Sequence, residues 1–159
     1  MDKDIIIPIT VKTDQELTSQ EKLLIDKALE IAKGAYAPYS NFSVGAAVLL
    51  DNGEIITGSN QENAAYPSGT CAERTAIFYA NAQYPNVPVV AIAIIAVTGG
   101  KVVESISPCG SCRQVLAEVS TRYRRPYTVI MGGREKHIIM KDNRLLLPLT
   151  FDADVLNDR

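Results

Sequence analysis

Thr70-Cys71-Ala72-Glu73-Arg74 and Ser107-Pro108-Cys109-Gly110-Ser111-Cys112-Arg113-Gln114 hold all three cysteines of this 159-residue chain. At C-x-E and P-C-x-x-C spacing, three thiols and a glutamate describe a zinc site with an open fourth position. Structural zinc sites close their shell with four protein ligands, whereas catalytic sites keep one position for water. Glu73 follows the ligand Cys71 too closely to bind the same ion easily, but it can reach a water beside that ion.

The spacing makes sense if each segment opens a helix. Cys71 precedes Ala72-Glu73-Arg74-Thr75-Ala76-Ile77-Phe78-Tyr79-Ala80, good helix formers with apolar residues at helical intervals. Pro108 suits the start of a second helix, Cys109 to Val119, on which Cys109 and Cys112 share a face. The positive ends of both helix dipoles then favour thiolates over thiols.

Other readings use fewer of these residues. A redox C-x-x-C pair leaves Cys71 and Glu73 without a task, and adventitious core thiols explain neither Pro108 nor Glu73. A closed structural site needs a fourth ligand, and the single histidine, His137, lies in a separate segment. An open catalytic site uses them all. A zinc held by cysteines beside a glutamate that is not a ligand is the signature of zinc deaminases.

Working outward, Thr18-Ser19-Gln20-Glu21 is a capping box that predicts a helix running to about Tyr36 and stopped by Pro38. Phe42 to Leu50 reads as a strand, Asp51-Asn52-Gly53 as a hairpin turn and Glu54 to Gly58 as the returning strand. Asn60 to Gly69 is a polar loop that must lie beside the metal, because its far end runs into Cys71. Val87 to Val97 is an almost unbroken apolar run, expected to be a strand buried on both faces with helices on both sides of the sheet. Tyr127 to Met131 and His137 to Met140 supply further strands, so both cysteine segments fall in the strand–helix units where α/β sheets place their sites. Residues 1–17 read as an N-terminal arm or an extra strand of a single domain, 1–159.

Composition narrows the partners. A formal charge of -2 argues against nucleic acid, since phosphate binding needs concentrated positive surface. No apolar run is long enough to span a membrane, and Ile5-Ile6-Ile7-Pro8 is too short for a signal peptide. Three cysteines assigned to metal leave none for a disulfide, so a cytoplasmic location is expected.

With these residues in place, the chain resembles the cytidine deaminases, specifically the small type with three cysteine ligands. The resemblance runs through Tyr36-Ala37-Pro38-Tyr39-Ser40-Asn41-Phe42, Val44-Gly45-Ala46-Ala47, Asn60-x-Glu62-Asn63-Ala64-Ala65-Tyr66, Cys71-Ala72-Glu73-Arg74-Thr75-Ala76 and Pro108-Cys109-Gly110-x-Cys112-Arg113-Gln114, ending at Leu146-Leu147-Pro148 and Phe151. It implies a three-layer α/β/α sandwich with a five-stranded mixed sheet, assembled as a homotetramer. The implied reaction is zinc-dependent hydrolysis of cytidine and 2′-deoxycytidine to the uridines and ammonia, as in pyrimidine salvage. The implied partner is thus a small nucleoside, not a nucleic acid or a membrane.

The resemblance also implies roles. Cys71, Cys109 and Cys112 hold zinc, and Glu73 shuttles protons. Phe42 packs on the pyrimidine, and Asn60 and Glu62 bond the ribose 3′-hydroxyl. Ala64, Tyr66 and Phe151 look toward a neighbouring subunit's site. Arg74 is expected to donate hydrogen bonds to the thiolates and offset part of their excess charge. Plainer roles remain open: Phe42 in the core, Phe151 as a C-terminal staple and Arg74 as an exposed helix residue. Gln61, Pro67-Ser68-Gly69-Thr70 and the long arm before Thr18 depart from the family pattern. A deaminase of another aminopyrimidine, such as blasticidin S, uses the same centre, but Asn60 and Glu62 favour a sugar-bearing substrate. A non-enzymatic zinc module leaves Glu73 unexplained.

Overall fold

Apolar alternation along the long second strand is what builds the three layers. In the computed structural model, which describes residues 1–156, the chain runs β1 (Thr10–Lys12), α1 (Ser19–Ala32), β2 (Phe42–Leu50), β3 (Ile55–Ser59), α2 (Ala72–Gln83) and β4 (Val89–Thr98). It continues through β5 (Lys101–Val102), α3 (Gly110–Tyr123), β6 (Thr128–Met131), β7 (His137–Met140) and α4 (Ala153–Leu156). On β2, Ala46, Val48 and Leu50 pack with Ala76 and Ile77 of α2 and Leu116 of α3. Ala47 and Leu49 project the other way, into a cluster with Leu24, Ile25 and Ala28 of α1. β4 repeats the division, with Ile92 and Ile94 facing α2 and α3 and Ala91, Ala93 and Ile95 facing α1. The unbroken apolar run of this strand is therefore buried on both sides, as a sheet between two helical layers requires.

The strands follow the order β1-β7-β6-β4-β2-β3, with β5 paired to the end of β4. β4 and β6 are parallel, joined by a crossover through α3, and the other pairs are antiparallel. The α/β/α sandwich and mixed sheet expected from the sequence are present, but the described residues hold seven strands where five were expected. The two additions are short. β5 folds back on β4 after Gly99 and Gly100, whose φ angles of 56° and 75° allow the tight reversal. β1 comes from the N-terminal arm and pairs with β7, Lys12 opposite His137.

The arm is anchored by charge as well as by pairing. Lys12 Nζ lies 2.7 Å from a Glu21 carboxylate oxygen, and His137 Nε2 lies 2.8 Å from Asp14 Oδ1. The Gly133 N–H points at Nδ1 of the buried His137 ring at 3.4 Å, so Nδ1 accepts and Nε2–H donates to Asp14. The single histidine is a latch for the arm and does not join the cysteines.

α1 begins at the expected capping box but ends at Ala32, short of Tyr36. Gly34 and Ala35 close back on Ile31 and Ala32, and the Tyr36 backbone then leaves to bond Asn60 and Glu62. That bridge draws Tyr36 to Ser40 against the polar loop after β3. Close packing positions α2 on the sheet: a Cβ at Gly58 would sit 2.5 Å from the Ala76 nitrogen, so only glycine lets this helix lie so near β3.

Candidate active site

Cys71 is the N-cap of α2 and Cys109 the N-cap of α3, and neither uses its side chain to cap its helix. Pro108 precedes the α3 cap by one residue, just outside the first helical position where its fixed φ is usually used. Both sulfurs therefore hang at helix N-termini, where unsatisfied N–H groups and the macrodipole stabilise negative charge. Cys112, in the first turn of α3, is fully buried beneath them. The three sulfurs lie within 4.8 Å of one another, with Cys71 and Cys109 3.9 Å apart. This is the only cluster of three or more metal-ligating side chains among the described residues, and His137 is not part of it.

The charges of this cluster are set by its own members. The hydrogen bond from Cys112 pulls the Cys71 thiol down to about 5 against its burial, with Arg74 and Cys109 adding to the effect. The same bond, with burial, pushes Cys112 up. Arg74 donates to Cys71 Sγ at 3.5 Å, and its buried Nε has no partner among the described groups. Three soft sulfurs at one point, one of them with a lowered thiol pKa, fit a zinc ion, and two of them, Cys71 and Cys109, line the adjoining cavity.

That cavity has a volume of about 710 Å³. Cys71, Cys109, Glu73 and Arg74 line it together with Phe42, Val44, Asn60 and Glu62. Glu73, in the first turn of α2, is only 5% exposed, and burial raises its carboxyl above the usual range before any neighbour acts. A carboxyl raised in this way is better suited to take up and give back a proton than an ordinary exposed one.

The remaining expected residues divide. Phe42 is half-buried at the cavity, held by Asn60, whose Nδ2 donates to the Phe42 carbonyl at 2.9 Å. Asn60 Oδ1 also accepts the Val44 N–H at 2.7 Å, so the amide is largely committed to the β2 backbone. Tyr66 stands exposed at the rim, its ring edge-on to Tyr39 at 6.0 Å between centroids. Ala64 and Phe151 do not line this chain's cavity; the Phe151 carbonyl accepts from Gln114 Nε2 at 2.7 Å.

Several lining residues had no role assigned from the sequence: Tyr39, Ser40, Gln61, Thr70, Ile106 and Ser107. Ser40 lies inside the Tyr36–Phe42 motif, but nothing in the spacing tells which residue its hydroxyl meets. Arg113 was also missed as a structural clamp. It donates to the Pro108 carbonyl at 2.9 Å, Ser107 Oγ at 2.9 Å and the Leu146 carbonyl at 3.1 Å, tying down the approach to Cys109. No helix among the described residues is long and apolar enough to cross a membrane.

Comparison with known proteins agrees with this geometry. Residues 18–127 match the cytidine and deoxycytidylate deaminase zinc-binding region. A cytidine deaminase of Halalkalibacterium halodurans is 42% identical over 137 residues, covering 86% of this chain and 98% of its own. One from Sporosarcina psychrophila is 41% identical over 135 residues, covering 84% and 93%. The crystal structure of cytidine deaminase from Burkholderia pseudomallei superposes with a TM-score of 0.70 at 37% identity, covering 85% of this chain and all of that one. The match includes the zinc-binding region and the fold that carries it, so this chain belongs to the cytidine and deoxycytidylate deaminase family and takes zinc as its cofactor.

Proposed function

We propose that this protein hydrolyses cytidine and 2′-deoxycytidine to uridine and 2′-deoxyuridine, releasing ammonia, with Glu73 as the proton-transferring residue. The observation that carries the reading is the placement of Glu73, buried against the cavity in the first turn of the helix that Cys71 caps.

Cys71, Cys109 and Cys112 hold the zinc, and Arg74 offsets part of the thiolate charge through its bond to Cys71. Zinc supplies a Lewis acid that makes water nucleophilic near neutral pH. Glu73 accepts the proton of the water that adds at C4 of the cytosine ring and passes it to N3. It then carries the second proton from the added oxygen to the departing amine, so one water enters and one ammonia leaves. Burial suits Glu73 to both halves, because a raised carboxyl pKa brings its two protonation states closer in energy. Phe42 offers a flat apolar face to the pyrimidine, and Glu62 accepts from the ribose 3′-hydroxyl beside Asn60.

The cavity also bears on substrate class. Its one lining arginine is turned to Cys71, while Glu62 stands at the sugar end, which suits an uncharged nucleoside better than a phosphorylated one. The alternative of a blasticidin-type aminopyrimidine is not supported: the similar proteins named above are cytidine deaminases.

A homotetramer with sites shared between subunits is part of this reading. It is supported by the exposure of Tyr66, Phe78, Tyr79 and Phe151, large apolar side chains that a lone chain leaves in water. Light scattering on the purified protein tests it, with four chains per particle expected. Three cysteines free of disulfides fit a reducing compartment such as the cytoplasm.

Ammonia release from a panel of cytidine, 2′-deoxycytidine, free cytosine, deoxycytidylate and blasticidin S tests the substrate reading. Turnover of the two nucleosides well above the rest is expected. Equal turnover of free cytosine would remove the sugar from recognition.

A further inference from the structure

Glu62 reaches the cavity from the loop after β3, yet its carboxylate is already engaged. Its Oε2 accepts the Tyr39 N–H at 2.9 Å and the Ser40 N–H at 3.3 Å, and its Oε1 accepts the Ser40 hydroxyl. The Ser40 Oγ also lies 3.1 Å from the Phe42 N–H. A backbone N–H can only donate, so Ser40 Oγ accepts there and its single hydrogen is left for Glu62. The hydroxyl thus has a fixed direction and is spent.

Phe42 is held on both sides. Ser40 binds its N–H, and Asn60 binds its C=O. The turn that allows this passes through Asn41 in the left-handed region at φ 53°, a conformation that asparagine tolerates better than most residues. The Ser40 hydroxyl is also the foremost cause holding the Glu62 carboxyl below its ordinary range. A carboxylate offers about four acceptor positions, of which three are filled, leaving one on Oε1.

We propose that Ser40 is a positioning residue for the deamination: its hydroxyl locks the Glu62 carboxylate to the backbone of Phe42, setting the sugar contact in register with the base contact and leaving Glu62 one acceptor position for one substrate hydroxyl. The proposal rests on the reading of Glu62 as the sugar contact. One free position accounts for a site that recognises the 3′-hydroxyl and is indifferent to the 2′-hydroxyl.

The test is steady-state kinetics on cytidine and 3′-deoxycytidine with the zinc-loaded wild type, Ser40→Ala, Ser40→Thr, Glu62→Ala and the Ser40→Ala/Glu62→Ala double variant. Zinc content and Tm are measured on each. Ser40→Ala should raise KM for cytidine about tenfold or more, the scale of one hydrogen bond to a charged group, while kcat falls less. It should narrow the cytidine to 3′-deoxycytidine ratio in kcat/KM, and Ser40→Thr should restore that ratio. In the Glu62→Ala background, Ser40→Ala should cost little more. An equal loss on both substrates, or the same loss with and without Glu62, overturns the role of Ser40 and leaves Glu62 intact. If Glu62→Ala itself leaves the ratio unchanged, the sugar reading of Glu62 fails and takes the proposal with it. Should Ser40→Ala fold poorly, Ser40→Cys, of similar bulk but a weaker donor, is judged by the same outcomes.

Discussion

Cys71 and Cys109 occupy equivalent positions on two different helices: each is an N-cap, and their sulfurs meet 3.9 Å apart. The N-termini of α2 and α3 thus aim their partial positive charge at one point, where three sulfurs collect. The metal site is therefore a property of how the two helices pack on the sheet, and damage to that packing should be read out at the metal.

Metal content is the first consequence. The purified protein should carry about one zinc per chain, and Cys109→Ala should lose it together with much of the folding stability that metal binding supplies. Elemental analysis with thermal melts, before and after chelation, checks both. A wild type that is active and free of zinc would contradict the site.

The seat of α2 gives the second. Gly58→Ala drives a methyl against the backbone nitrogen of Ala76, which cannot swing aside as a flexible side chain could. Overpacking of this kind costs roughly 1–3 kcal/mol, and here it should also displace Cys71 and Glu73. Chemical denaturation and zinc competition should both register the change, whereas Gly53→Ala, at an open hairpin turn, should leave zinc affinity as it was.

The third concerns Arg113. Its guanidinium reaches three acceptors on Ser107, Pro108 and Leu146, which a lysine ammonium cannot span in the same plane. Arg113→Lys should loosen the approach to Cys109 and speed zinc release to a chelator, while secondary structure by circular dichroism stays unchanged.

The arm supplies a pH-dependent prediction. Burial works to raise the Glu21 carboxyl, but the bonds from Lys12 and Thr18 outweigh it and the net shift is downward. A carboxyl lowered on folding contributes stability that is fully present above the ordinary value of 4.5 and is lost as pH falls through the lowered one. Lys12→Met should cost at most about 1 kcal/mol at neutral pH, a Tm shift of ~2–4 °C, since the pair is only partly buried. That difference should shrink on acidification below 4.5 and not on raising the pH.

How much of this was legible in the chain follows from where the information sits. β2, β4, α2 and α3 were readable because apolar periodicity and capping are local signals, and Cys71, Glu73, Cys109 and Cys112 because metal chemistry restricts residue type and spacing. The end of α1 was not, since Tyr36 leaves the helix to bond Asn60 and Glu62, residues distant in sequence. β5 was missed for a similar reason, since a stretch of two residues pairs only because a partner edge is offered; the arm, read as an arm or an extra strand, supplies β1 only over Thr10–Lys12, where β7 gives it an edge. Asn60 looked like a plain sugar ligand, yet its amide is mostly spent on Phe42 and Val44. The latch between Asp14 and His137 joins opposite ends of the chain, and no local pattern announces it.

In the proposed reaction Glu73 moves protons beside a zinc it does not hold. Glu73→Gln keeps the size and burial of the side chain and removes its titration, so zinc content and turnover of cytidine should be measured together on that variant. About one zinc per chain and a thermal melt close to wild type are expected, with kcat down by at least ~10²–10⁴-fold, the scale of a lost general acid–base residue. Near-normal turnover with zinc in place would contradict that role, leaving Glu73 a structural carboxyl and the deamination without its proton carrier.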